Sequence, residues 1–242
     1  RMMRRILWPN LVRYRDDYMD FEKGAYRTIG EDVISANTWQ WLETVKKERR
    51  KVRTGNNAGN GSAVLTTMAF QPDRRSVGET LAALTSVAHL NPRLETPCWL
   101  NNRNDLPANE LIAFPNGLLD LRDNTLHPPN PSFFTIAAVG FDYVAEAPAP
   151  EEWLKFLDEI FAGDDEDKRK QIDALQEVFG YLLTTDTSQE KAFLLLGPAR
   201  SGKGTLLNMM RRLLAANSVA GPSLKSLGSQ FGLTPLIGKQ LA

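Results

Sequence analysis

The stretch that decides the reading is "AFLLL" at 192–196, "GPARSGKGT" at 197–205 and "LLNMMRRLLAA" at 206–216. A short apolar run, a glycine-rich turn and an amphipathic segment predict a buried strand, a tight loop and a helix, in that order. Gly197, Gly202 and Gly204 allow backbone angles that a side chain forbids, so the loop Pro198, Ala199, Arg200 and Ser201 can turn the amides of 199–201 inward, Pro198 having no N–H to offer. The helix predicted to open near Lys203 presents its positive end to the same point, and Leu206, Met209, Met210 and Leu213 supply its packing face. Lys203 adds a compact positive charge. Together these features fit a cradle for nucleotide phosphates, with Lys203 reaching the β- and γ-phosphates, which makes ATP with Mg2+ the expected ligand. The usual pattern places a hydroxyl directly after the lysine to hold the metal. Here Gly204 stands in that place and Thr205 follows. Thr205 then either touches the α-phosphate or helps hold magnesium.

Outward from this loop, charge is distributed unevenly although 29 bases balance 29 acids over 242 residues. Residues 191–242 carry seven bases and no acid, and residues 142–167 carry ten acids and one base. "KKERRKVR" at 46–53 holds six bases and one acid, namely Lys46, Lys47, Arg49, Arg50, Lys51 and Arg53 around Glu48. These bases either contact DNA phosphates or form the solvated C-terminal end of a helix, where bases suit the dipole. Cys98 is the single cysteine, so no intrachain disulfide is possible, and the histidines His89 and His127 show no zinc spacing. No apolar run approaches the ~20 residues of a membrane helix, and the start lacks a signal-peptide core. The expected location is the cytoplasm of a bacterial or phage-infected cell, with no membrane partner.

Before the loop, residues 11–29 read as a hairpin about Lys23–Gly24, and 31–47 as a helix with Ile34, Trp41 and Val45 on one face. Trp39 and Trp41 are expected as core or half-buried anchors rather than base-stacking platforms. "TGNNAGNGS" (54–62) reads as a loop. "SVGE" (76–79) predicts a capping box and a helix with Val77, Leu81, Leu84 and Ala88 inward. Turn signals over 110–144 predict short strands, and two helices follow, one with Trp153, Phe156, Leu157, Ile160 and Phe161 inward, the other with Ile172, Leu175, Phe179 and Leu182. Asp158, Glu159 and 164–167 are read as solvated acids, and Arg211 and Arg212 as an exposed helix face.

A glycine loop does not choose a function by itself. "FPNGLLDLRDNTLHPPNPSFFT" (114–135), "WLKFLDEIF" (153–161), "LQEVFGYLLTTDTSQEKAFLLLGPARSGKGTLL" (175–207) and "FGLTPLIGKQLA" (231–242) together resemble the phage and plasmid primase-helicase family, which has poxvirus relatives. The resemblance covers about 110–242. It implies a fold of an α+β N-terminal region (1–105), a small, mainly helical domain with leading strands (106–187), and the first part of an α/β P-loop ATPase of superfamily 3 (188–242). It also implies an ATP-dependent DNA helicase acting in phage or plasmid replication on single-stranded or forked DNA, as a homo-oligomeric ring, a hexamer. No primase site is visible; if the parent protein primes, that domain lies upstream of Arg1. The family's second acidic, metal-binding motif has no counterpart before Ala242. The chain is therefore expected to be a fragment that binds ATP and hydrolyses it poorly. Two alternatives stay open, a non-catalytic, ATP-gated DNA-binding or assembly module and a nucleoside monophosphate kinase-like enzyme.

Overall fold

The computed structural model describes residues 2–52, 63–103, 105–161, 163–184, 192–214, 218–236, 239 and 241. It is a mixed α/β chain of small antiparallel sheets and helices, and it divides into two compact units. The first comprises Arg1–Asp20 and Thr28–Arg93, the second Phe21–Arg27 and Leu94–Ala242.

In the first unit, helix α1 (Met2–Leu7) precedes a three-stranded meander of β1 (Val12–Tyr14), β2 (Asp17–Glu22) and β3 (Ala25–Ile29), whose tip belongs to the second unit. Both hairpin turns are built from residues at positive φ: Arg15 (48°) and Asp16 (70°), then Lys23 (49°) and Gly24 (83°). Paired positive φ values give the turn twist that antiparallel strands favour, so the hairpin expected at Lys23–Gly24 forms. Helix α2 (Glu31–Thr44) buries Ile34, Thr38 and Leu42, four residues apart. Trp41 packs beside the core, whereas Trp39 lies on the exposed face with its indole N–H donating to Glu43 (3.1 Å). The anchor reading therefore holds for Trp41 and is corrected for Trp39. Val45 likewise falls outside the helix, as its C-cap.

The basic run is not a helix end. Lys46–Val52 forms strand β4, paired antiparallel with β5 (Ala63–Ala69) in a separate two-stranded ribbon. Helix α3 (Arg74–Ala88) follows and starts earlier than "SVGE" suggested. Asp73 is its N-cap: the carboxylate accepts from the Ser76 amide (2.7 Å), and Ser76 Oγ accepts from the Asp73 amide (2.9 Å). The capping box is real but shifted by three residues, and Glu79 pairs with Arg75 instead (2.8 Å). Val77, Leu84 and Ala88 are buried as expected, with Leu81 packed beside them. They meet Met3, Trp8, Leu11, Tyr18 and Ile34 in one core.

In the second unit, β6 (Cys98–Trp99) pairs with β10 (Phe133–Phe134), and β7 (Leu111–Phe114), β8 (Gly117–Asp120) and β9 (Thr125–His127) form a meander. Ala25, Trp99, Leu111, Leu118 and Phe133 fill one core, and the Trp99 indole donates to the Leu106 carbonyl at 2.7 Å within it. Gly24 must be glycine, because a Cβ would stand 2.2 Å from the Phe114 carbonyl oxygen. The β8–β9 turn is clasped by Asp120, whose buried carboxylate accepts from the Arg122 amide and guanidinium. Those bonds hold the Asp120 carboxyl down at about 2.

Helices α4 (Glu151–Ile160) and α5 (Asp165–Leu183) lie where expected, and their inward residues share one cluster with α6 (Lys203–Leu213). Among the acids of this region, Asp164 caps α5 and Asp158 pairs with Lys168 (3.0 Å). A short helix α7 (Leu224–Leu227) follows. The strand expected at 192–196 is not formed. Those residues have no regular structure, and Leu194 and Leu196 are 80% and 83% exposed. A strand buried on both faces needs neighbours for its amides and carbonyls, and among the described residues nothing pairs with this run.

Candidate nucleotide-binding loop

Helix α6 is held on two sides of the second unit. Leu206 and Met210 are buried against Leu157, Leu175 and Leu182; Met209 and Leu213, also expected on the packing face, are half-buried. Its far end is tied by backbone: the Gly140 amide donates to the Leu213 carbonyl (3.1 Å), and Val139 forms an antiparallel bridge with Leu214. Arg211 and Arg212 sit exposed in its last turn, where positive charge suits the carbonyl end.

The other end of α6 carries the glycine loop. Gly197 and Pro198 are irregular and exposed, Ala199 and Arg200 form a turn, Ser201 and Gly202 bend, and Lys203, Gly204 and Thr205 make the first helical turn. Gly202 is the N-cap, at φ 82°, and Arg200 also lies at positive φ (64°). A Cβ on Gly202 would stand 2.8 Å from Ile160 Cγ2 and 3.1 Å from Phe156 Cζ, so glycine is required there by backbone and by packing. Around Gly204 nothing lies within 4 Å of the same position. The hydroxyl missing at 204 is therefore not excluded for want of space.

Lys203 folds back over the loop. Its ammonium donates to the carbonyls of Gly197 (2.9 Å) and Pro198 (2.6 Å) and to Ser201 Oγ (3.1 Å). The loop is thereby closed into a small ring with the positive charge at its rim. No side chain caps the N-terminus of α6, and its first turn holds no acid. Helices α3 and α5 are capped by Asp73 and Asp164, and α2 and α4 carry acids in their first turns. From α2 to α6, among the described residues, α6 is the one helix with neither. The first-turn amides of α6 have no side-chain acceptor at the cap, and the positive end of its dipole suits an anion.

Residues 14–162 match the family model described as D5 N terminal like. The chain belongs to the D5 N-terminal-like family. This domain stands at the N-terminus of phage and viral primase-helicase proteins, which gives the chain a place in DNA replication. The matched span runs from β1 to the end of α4 and stops short of the glycine loop. It contains the basic segment: Lys46, Lys47, Arg49, Arg50 and Lys51 lie on β4, while Arg53 falls outside the described residues.

Sequence reasoning passed over two supports of the loop, Phe156 and Ile160 beneath Gly202 and Ser201 as an acceptor for Lys203. The first pair was visible only as a helix face; nothing in the spacing says which loop that face meets. Among the described residues no cluster of His, Cys, Asp and Glu is arranged to hold a metal ion, and no helix is long and apolar enough to cross a membrane. The "TTDTSQE" loop and residues 54–62 fall outside the described residues.

Proposed function

We propose that residues 197–205 bind the phosphates of ATP, and that the protein is an ATP-dependent DNA helicase of the primase-helicase type, acting in phage or plasmid replication in the host cytoplasm. The observation that carries this reading is the uncapped, acid-free N-terminus of α6 with the Lys203 ammonium held across it. Lys203 would exchange its loop acceptors for β- and γ-phosphate oxygens, and the amides of 203–205 would receive the remaining charge. Gly202 fixes the loop against α4, which keeps those donors oriented.

Magnesium, when bound, neutralises developing charge on the phosphates. Thr205 is the residue here that would hold it or, alternatively, touch the α-phosphate. Residues 191–242 contain no Asp or Glu, so no carboxylate of this stretch shares the metal with Thr205. The working assembly would be a hexameric ring on single-stranded or forked DNA.

The test is a nucleotide titration of the 242-residue chain and its Lys203→Ala variant. Loss of charge-assisted bonds to phosphate, about 1.5–3 kcal/mol, weakens ATP binding about 10- to 100-fold. Equal affinity in the two proteins would overturn the assignment. AMP-dependent formation of ADP would move the protein to the kinase class, and DNA-stimulated phosphate release would favour the helicase.

A further inference from the structure

A lysine ammonium has three N–H donors, and at Lys203 the loop engages all three. Two go to the carbonyls of Gly197 (2.9 Å) and Pro198 (2.6 Å), both exposed residues. The third goes to Ser201 Oγ (3.1 Å), on a half-buried residue. Lys203 therefore holds no donor in reserve. A ligand that takes two of them, through one oxygen from each of two phosphates, releases two of the loop acceptors and leaves one.

Which acceptor stays is decided by water. An acceptor that loses its donor costs little where water replaces the donor, and more where burial keeps water out. Gly197 and Pro198 are exposed and Ser201 is half-buried, so the exchange is easiest when the two carbonyls are released and Ser201 Oγ is kept. Space has been left for this bond. A Cβ at Gly197 would stand 2.7 Å from Ser201 Oγ and 3.7 Å from Lys203 Nζ. Gly197 is not among the glycines at positive φ, so the contact with Ser201, rather than the backbone angle, calls for glycine there.

Given phosphate binding at 197–205, on which this inference rests, we propose that Ser201 is the positioning residue of the loop: its Oγ is the acceptor that Lys203 keeps while the other two donors turn to phosphate oxygens. Ser201 acts through the lysine and does not itself touch the nucleotide. A lysine side chain loses much rotamer freedom when it is fixed, and a lysine already held in place loses less on binding. The hydroxyl is neutral, so it orients the ammonium without cancelling the charge that the phosphates need. A serine in a bend can also be mere filler, and the variants below separate the two roles.

The experiment titrates the full chain with ATP and with inorganic tripolyphosphate, which carries the phosphates without base or sugar. Ser201→Ala weakens binding of both by the same factor, about 3- to 10-fold. Ser201→Thr, which keeps the hydroxyl, binds like the unaltered chain. Gly197→Ala, whose methyl displaces Ser201 Oγ, weakens both ligands likewise, and it adds nothing to Ser201→Ala, where the atom it strikes is absent. Ser201→Ala/Lys203→Ala binds no more weakly than Lys203→Ala alone, as a residue acting only through the lysine requires; a hydroxyl that merely shapes the bend adds its loss to that of the lysine. Unchanged affinity in Ser201→Ala, no rescue by Ser201→Thr, or additive losses in the double variant overturn the proposal. Phosphate binding at 197–205 survives each of those results as long as Lys203→Ala by itself weakens ATP binding. A chain whose ATP affinity does not depend on Lys203 overturns both.

Discussion

Gly202 and Gly204 are two residues apart in one loop, and the structure predicts opposite responses to the same substitution. In Gly202→Ala, the new Cβ arises at φ 82°, which costs about 1–2 kcal/mol for an L residue. It also arrives 2.8 Å from Ile160 Cγ2 and 3.1 Å from Phe156 Cζ, inside packed helices that yield reluctantly. Overpacking of this kind costs about 1–3 kcal/mol, giving about 2–5 kcal/mol in total. Gly204 is a first-turn residue of α6 with nothing within 4 Å of the added methyl. There the gain in helix propensity applies, and Gly204→Ala stabilises by about 0.5–1 kcal/mol. For a chain of this size each kcal/mol moves the melting temperature by about 2–4 °C. Thermal unfolding followed by far-ultraviolet circular dichroism should therefore show Gly202→Ala lower by about 4–20 °C and Gly204→Ala higher by about 1–4 °C. Melting temperatures that shift in the same direction, or a Gly202→Ala protein as stable as the unaltered one, would refute the packing described for the loop.

Three further outcomes follow from the rest of the molecule. Asp73→Ala removes the N-cap of α3 and should cost about 1 kcal/mol in urea unfolding, while Glu79→Ala, on an exposed pair, should cost well under that. Trp99→Phe strips the donor from the buried Leu106 carbonyl and should destabilise by about 1–3 kcal/mol; a neutral result would mean the carbonyl finds another donor. The Asp120 carboxyl is depressed by Arg122 to about 2, so its contribution is present above the unfolded carboxylate range near 4 and is lost as pH falls through about 2. The stability gap between the unaltered protein and Asp120→Asn should accordingly be full at neutral pH and close between about pH 4 and pH 2. A gap constant across that window would show that the ion pair is not its source.

Much of the fold could be read before the structure, and the failures share a cause. Helices α4 and α5 and the Lys23–Gly24 hairpin were legible because their signals are local: apolar spacing in one case, a turn at positive φ in the other. Strand β4 was not, because its sequence carries no alternation of apolar and polar residues; five bases in seven residues look like a solvated helix end. The start of α3 was displaced because two overlapping cap signatures exist, and the choice of Asp73 over Ser76 depends on where the backbone turns. The apolar run at 192–196 names a strand only if a partner lies beside it, and no local pattern reports that. At the glycine loop the residue types were legible and their supports were not. Phe156 and Ile160 come from a helix some forty residues earlier, and the contact that makes Gly202 obligatory is written in neither segment alone.

The short segment Phe21–Arg27 bears on how the chain folds in time. It is synthesised before the rest of the second unit and is flanked on both sides by residues of the first, yet it completes the second. Ala25 and Tyr26 are buried there, with the Tyr26 amide donating to the Thr135 carbonyl (2.8 Å) and its hydroxyl to the Pro131 carbonyl (2.6 Å). Those acceptors are synthesised more than a hundred residues later, so these contacts close a long loop and form late. The second unit is thus not a contiguous piece of polypeptide. Expressing 94–242 alone would strip Ala25 from the core it shares with Trp99, Leu111, Leu118 and Phe133.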